Sequence, residues 1–258
     1  MRYIAGNKFI HAFNLSQKLL LKNRIPVINY AVENKSNSDV FQEYEYINKH
    51  LDERFKIALK LSSLNYDKKL INDLINMYKE KNVKILIDAE NNNDYNKYRS
   101  IMDVLLNEHN NDKCNILKTY QMYRKDSMTE LRYDLKNHNN LGCKLVRGAY
   151  WNSDNKSGNL FINKIETDSN YNNGIKLLAR NKNGCNIIAT HNNYSIDLVK
   201  YFNNENLEYG KLLDFNNKKY KDVKNKVNIY IPYGPYFDMI PYLYRRLYEN
   251  LDSIKYMS

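Results

Sequence analysis

Cysteine is scarce in this chain: Cys114, Cys143 and Cys185 are the only three among 258 residues. The number is odd and no CxxC pair occurs, which argues against a disulfide framework and against the common zinc spacings. No metal site is expected. Each cysteine stands near the start of an apolar run, where a buried free thiol is the ordinary reading and a reducing compartment fits. No stretch approaches the ~20 apolar residues that a membrane-spanning helix needs. The opening MRYIAGNKFIHAFN lacks the apolar core of a secretory signal and the Arg-rich, acid-poor character of a mitochondrial presequence. A soluble chain in the cytoplasm is the resulting expectation, with a mitochondrial location as the alternative. Neither GxGxxG nor GxxxxGK[ST] is present, which removes the usual nucleotide loops of open sheets. There is no internal repeat and no linker, so residues 1–258 are read as a single domain.

What is present is basic and rich in tyrosine. The net charge is +11, the sequence pI is about 9.2, and there are 24 Tyr against 8 Gly and 4 Pro. The heavy use of Tyr, Asn and Lys fits an AT-rich coding sequence more than a special chemistry. A basic balance suits nucleic acid, an anionic membrane surface or an anionic cofactor. Lysine is scattered among Glu and Asp with no single basic stripe, so the charge alone selects no partner.

Short β-rich runs alternate with helical patterns along the chain. The runs are Val27–Val32, Phe55–Leu61, Lys84–Ala89, Asn115–Met122, Cys143–Tyr150, Asn186–His191, Leu207–Leu213 and Val227–Ile231, with Leu207–Leu213 the weakest. A first helix is expected over about Gly6 to Lys22. Between the strands, stripes such as Val40, Tyr44, Ile47 and Leu51 recur at helical spacing and read as core-facing. Eight strand–helix units imply a parallel sheet covered by helices. At this length a closed (βα)8 TIM-like barrel is the economical answer, and an open doubly wound sheet is the second choice.

In such a barrel the chemistry sits at the C-terminal ends of the strands. Polar residues fall there repeatedly. Lys60 ends the second strand, Asp88 and Glu90 the third, Gln121 the fourth, and Lys144, Arg147 and Tyr150 lie along the fifth. Thr190, His191 and Asn192 end the sixth, and Tyr230 lies in the eighth. Burying such groups without a purpose costs stability. The stretch YIPYGPYFDMIPYLYRRLYEN adds a final helix with Tyr242, Arg245, Arg246 and Glu249 on or beside one face. Two adjacent guanidiniums can grip a small carboxylate. Spacing alone also fits a solvated ion-pair helix, the commoner case.

Together these pieces resemble the proline dehydrogenase family of flavin-dependent barrels. The matching segments are YIAG, ALKLSS, LIDAE, TYQMY, KLVRGAYW, KIETDSNY, ATHN and YIPYG followed by YLYRRLYEN, in the family's order. The resemblance implies oxidation of L-proline to Δ1-pyrroline-5-carboxylate with FAD as cofactor, and a final helix carrying the Arg-Arg pair over the barrel mouth. It implies cofactor contacts from Ala89, Gln121, Lys144, Arg147, Gly148, Ala149, Lys164, Thr167, Thr190, His191 and Asn192. Trp151 either stacks on the cofactor or caps the barrel. Arg245 and Arg246 are implied to hold the substrate carboxylate, with Glu249, Lys60, Tyr150, Leu212, Tyr230 and Tyr242 around it. Asp88 and Lys144 are the implied catalytic pair.

A quinone is the implied electron acceptor, with peripheral membrane contact, and no nucleic-acid partner is implied. The chain leaves no room for a fused aldehyde-dehydrogenase domain, so a separate pyrroline-5-carboxylate dehydrogenase is expected downstream. Here the motif reads KLVRGAY where many bacterial members have RLVKGAY, so a forked donor and a point charge have changed places. Asn91 and Asn152 stand where acids are common. Alternatives are oxidation of hydroxyproline or another imino acid on the same barrel and, from a different class, a non-catalytic basic binding protein.

Overall fold

The computed structural model describes residues 4–32, 35–181, 184–213, 218–220, 223–240 and 242–244. Eight parallel strands close into a barrel: β1 (Arg24–Tyr30), β2 (Lys56–Leu59), β3 (Lys84–Ile87), β4 (Ile116–Gln121), β5 (Gly142–Val146), β6 (Asn186–Ala189), β7 (Leu207–Leu212) and β8 (Val227–Tyr233). Neighbours pair in sequence order, and β8 returns to β1 in a seven-residue register from Arg24↔Val227 to Tyr30↔Tyr233. Every expected strand is present, including the weak seventh.

The strands follow from alternation. Inward positions differ from outward ones by one residue, so each strand feeds two environments. Tyr120, Leu145, Ile229 and Ile231 point out into a continuous apolar layer under the helices. Their neighbours Thr119, Gln121, Lys144, Val146, Asn228 and Tyr230 point in and line the central cleft. A smaller inner cluster of Val27, Ala58, Leu86, Leu117, Cys185 and Ile187 plugs the barrel below it. All three cysteines are buried free thiols.

Helices α1 (Phe9–Leu20), α2 (Asn37–Asn48), α3 (Lys68–Glu80), α4 (Tyr95–His109), α5 (Ser127–Asn137), a single turn α6 (Trp151–Asp154), α7 (Lys164–Arg180) and α8 (Asn193–Phe202) surround the sheet. Side-chain oxygens of Ser36, Asp67, Asn163 and Asn192 accept from backbone N–H groups at the starts of α2, α3, α7 and α8. Among the described residues no helix is long and apolar enough to cross a membrane.

Several expected strands run past the observed ones. Phe55–Leu61 overshoots because Leu61–Leu64 winds into a 3-10 turn. Cys143–Tyr150 overshoots because Gly148, at φ +140°, turns the chain away before α6. In the opposite direction, β8 extends to Tyr233 because β1 continues to pair with it.

Candidate active site

A cleft of about 290 Å³ opens at the C-terminal ends of the strands, the end where barrels of this kind work. At its centre Asp88, just past β3, accepts two strong hydrogen bonds. Lys144 Nζ on β5 approaches Oδ1 to 2.5 Å, and the Tyr230 hydroxyl on β8 approaches Oδ2 to 2.7 Å. The Lys144 ammonium also lies 5.1 Å from the centre of the Tyr230 ring. Lys144 and Tyr230 are rooted on strands and Asp88 directly follows one, so closure of the sheet brings them together across 142 residues of sequence.

Around this core, Lys60 Nζ sits 5.2 Å from the centroid of the Tyr150 ring. Tyr150 reaches the Ala89 carbonyl at 3.4 Å, and Ala89 borders the cleft. Glu90 is buried and accepts from the Ser62 N–H at 3.0 Å. Burial pushes its carboxyl up, with Lys60 and that N–H acting in the opposite direction. Gln121 ties two loops together: its amide donates to the Glu90 carbonyl at 3.0 Å and its oxygen accepts from Ala149 N–H at 3.3 Å.

On the far side, Arg147 is held at every nitrogen. Nε donates to Asp168 at 2.6 Å, and the two terminal nitrogens donate to Thr190 at 2.7 Å and Ser195 at 3.0 Å, with the guanidinium 4.2 Å from the Tyr171 ring centre. Lys164 binds the other oxygen of Asp168 at 2.6 Å. Burial opposes ionisation of Asp168, yet the bonds from Lys164 and Arg147 outweigh it and hold its carboxyl below 3.8.

Of the residues expected from sequence, Lys60, Asp88, Ala89, Gln121, Lys144, Arg147, Gly148, Ala149, Tyr150, Thr190, His191, Leu212, Tyr230 and Tyr242 all line the one cleft. Trp151, Lys164, Thr167 and Asn192 do not. Trp151 is 42% exposed beside Tyr123, Thr167 is buried in the first turn of α7, and Asn192 caps α8. Arg245, Arg246 and Glu249 lie outside the described residues. Sequence reasoning missed Asn29 and Tyr30 on β1, Lys211, Asn228 and Asp168. Tyr30, pushed up to about 12 by burial and by the charges of Glu43, Asp238 and Asp39, borders the cleft. Two signals were available: the inward alternation of Asn29 with Val27, and the i,i+4 spacing of Lys164 and Asp168.

The cleft suits an anionic cofactor. Its described lining carries four cations, Lys60, Lys144, Arg147 and Lys211, against one carboxylate, Asp88. Gly148 has no room for a side chain, since an added Cβ would lie 2.2 Å from the Tyr123 ring, and Gly148 and Ala149 both line the cavity. These residues fit a dinucleotide with a pyrophosphate. Among the described residues no cluster of metal-ligating side chains occurs.

Fold and cleft together define a (βα)8 barrel with a charged, strand-rooted site at its C-terminal mouth. The family model "Proline dehydrogenase" matches residues 17–258, and the chain belongs to that family. It is 30% identical over 200 residues to "Proline dehydrogenase 1, mitochondrial" of Dictyostelium discoideum, covering 66% of this chain and 35% of that relative. It is 33% identical over 202 residues to "Proline dehydrogenase 2, mitochondrial" of Arabidopsis thaliana, covering 66% of this chain and 42% of the relative. The chain therefore spans well under half the length of these relatives. Proline utilization A (PutA) from Bdellovibrio bacteriovorus superposes with a TM-score of 0.82 at 20% identity, over 96% of this chain and 32% of that one, which shows the shared fold.

Proposed function

We propose that the protein oxidises L-proline to Δ1-pyrroline-5-carboxylate with FAD. The observation that carries this reading is the Asp88–Lys144–Tyr230 cluster, set at the base of a cationic cleft in a chain of the proline dehydrogenase family. FAD, when bound, supplies the hydride acceptor. The substrate ring would give a hydride from the carbon beside nitrogen to that acceptor and the nitrogen proton to solvent. Lys144 keeps a fixed positive charge where negative charge accumulates, which lowers the barrier most when the donor needs no reorganisation. Asp88, held by Lys144 and Tyr230, keeps a carboxylate oriented toward the site of the secondary amine. Lys60 and Tyr150 close the polar wall and limit water. Backbone at Gly148 and Ala149, with Gln121, Thr190 and His191, would hold the cofactor, and Arg147 would offset its pyrophosphate.

Arg245 and Arg246 would grip the substrate carboxylate, with Glu249 beside them. Tyr230, tethered by its hydroxyl, presents a fixed ring that would crowd a hydroxylated substrate, so proline is preferred over hydroxyproline. Electrons would leave to a quinone at a membrane surface, and a pyrroline-5-carboxylate dehydrogenase activity would consume the product.

The decisive test is the visible spectrum of the FAD-loaded protein, recorded anaerobically before and after L-proline. Bleaching supports the reading. A flavin that stays oxidised with proline but bleaches with hydroxyproline moves the substrate to that ring. Failure to load FAD at all removes the redox reading.

A further inference from the structure

Directly after Tyr150 the chain makes the single turn α6, and that turn ends on Asp154, a carboxylic acid with no exposed surface. Its burial is matched by three neutral donors. Oδ2 accepts from the Tyr123 hydroxyl at 2.7 Å, and Oδ1 accepts from the Asn92 backbone N–H at 2.9 Å and the Ser153 hydroxyl at 3.0 Å. These donors come from three connections: the loop after β3, the loop after β4, and α6 itself. Tyr123 in turn holds the segment before α6. Its backbone N–H donates to the Arg147 carbonyl at 2.7 Å, and its ring fills the space that a Gly148 side chain would need. The only tryptophan of the chain, Trp151, lies with its ring centre 6.4 Å from that of Tyr123.

A buried carboxylate that loses a donor is left with a desolvation cost nothing else offsets. The three loops therefore hold one relative arrangement, and Arg147, Gly148, Ala149 and Tyr150 stand within it. We infer that Asp154 and Tyr123 form a latch that positions the Arg147–Tyr150 segment for the cofactor. Asp154 does not line the cleft and acts as a positioning residue through Tyr123. This inference rests on the proposed FAD-binding role of that segment.

Trp151 supplies a readout that needs neither cofactor nor turnover. Asp154→Asn keeps the shape but sets an amide donor against donors. Tyr123→Phe removes only the hydroxyl and is the milder change, so it carries the test where the first variant folds poorly. In each variant the Trp151 emission shifts and its quenching by acrylamide rises. The dissociation constant for FAD, titrated into apoprotein, rises about tenfold, the equivalent of about 1.4 kcal/mol. The double variant goes no further than Asp154→Asn alone, because the bond that Tyr123→Phe removes is one of the three that Asp154→Asn already disturbs. Unchanged Trp151 emission and FAD affinity, or effects that simply add, overturn the latch, even where thermal stability falls. Wild-type protein that binds FAD yet never bleaches with L-proline, while both variants behave as stated, refutes the proposed oxidation and leaves the latch standing.

Discussion

Among the described residues, two lysine–carboxylate pairs inside the barrel, one toward each end, are built alike. At the mouth, Lys144 meets Asp88, and Tyr230 on β8 adds a hydrogen bond. Toward the closed end, Lys56 on β2 meets Glu208 on β7, and Asn228, two residues before Tyr230 on the same face of β8, bonds both partners. Side-chain exposure separates them: 6% and 9% for Lys56 and Glu208, against 11% and 15% for Lys144 and Asp88. The mouth pair borders the cleft, whereas in the sealed pair neither Lys56 nor Glu208 does. The same chemistry thus serves two purposes. A pair that a ligand cannot reach can only hold strands together. A pair that it can reach is free to act on the ligand.

The sharpest way to break this comparison is to remove one member of the sealed pair. Glu208→Ala strands the Lys56 ammonium and should cost about 3–5 kcal/mol of stability, read from urea unfolding. Replacing both partners with apolar residues of similar volume should recover most of that loss. A Glu208→Ala protein as stable as wild type would mean that the sealed pair is idle.

Next in size is the mouth pair. Lys144→Met should lower the rate of flavin reduction by about a hundredfold to a thousandfold, as loss of a preorganised charge does. Stability should change far less than in Glu208→Ala, because this pair borders the cleft and is less buried. Equal stability losses at both ends would erase the distinction. Smaller still, Tyr230→Phe removes one hydrogen bond to Asp88 and should slow reduction about tenfold, in keeping with a contribution of about 1.5 kcal/mol. The same position tests specificity, since Tyr230→Ser should narrow the ratio of kcat/KM for proline over hydroxyproline.

Near neutrality the smallest effect is that of pH. Burial opposes ionisation of Glu208, but Lys56 and Asn228 outweigh it and hold the carboxyl below its ordinary 4.5. Burial likewise works against the Lys56 charge, but the surrounding Cys185 and Glu208 groups raise it above 10.5. The lowered acid contributes stability that is full above about pH 4.5 and is lost as pH falls through its folded value. The raised base contributes stability that is full below about pH 10.5 and is lost as pH rises beyond that. The sealed pair should therefore be insensitive between these limits. The variant with both partners apolar should show a shallower fall in urea midpoint between pH 6 and pH 3.

Much of this architecture was legible in the residues. The eight runs became eight strands because period-two alternation is a local property, and the helices followed from apolar stripes. The cleft residues were placed through motifs at strand ends, from Lys60 to Tyr230, and Tyr242 through the final helix. The sealed pair was not found. Lys56 opens the run FKIALKL and Glu208 opens the run LEYGKLL, and each reads locally as a polar residue at a strand start. Asp154 and Asp168 escaped for a related reason, since each gains its meaning from partners on other loops. Strand ends were overrun at β2 and β5, where a 3-10 turn and the positive φ of Gly148 stop the sheet.

The residues by themselves determined the alternation of strand and helix and the family to which the chain belongs. Those properties depend on spacing along one segment, and spacing is written in the chain. Which lysine meets which carboxylate was decided only by closure of the barrel. Closure fixes the register of β8 on β1, and with it the positions of Asn228 and Tyr230. Partners 142 and 152 residues apart come within hydrogen-bonding distance only when all eight strands are in place. Whether such a pair is sealed or open depends on how far up the barrel that closure sets it.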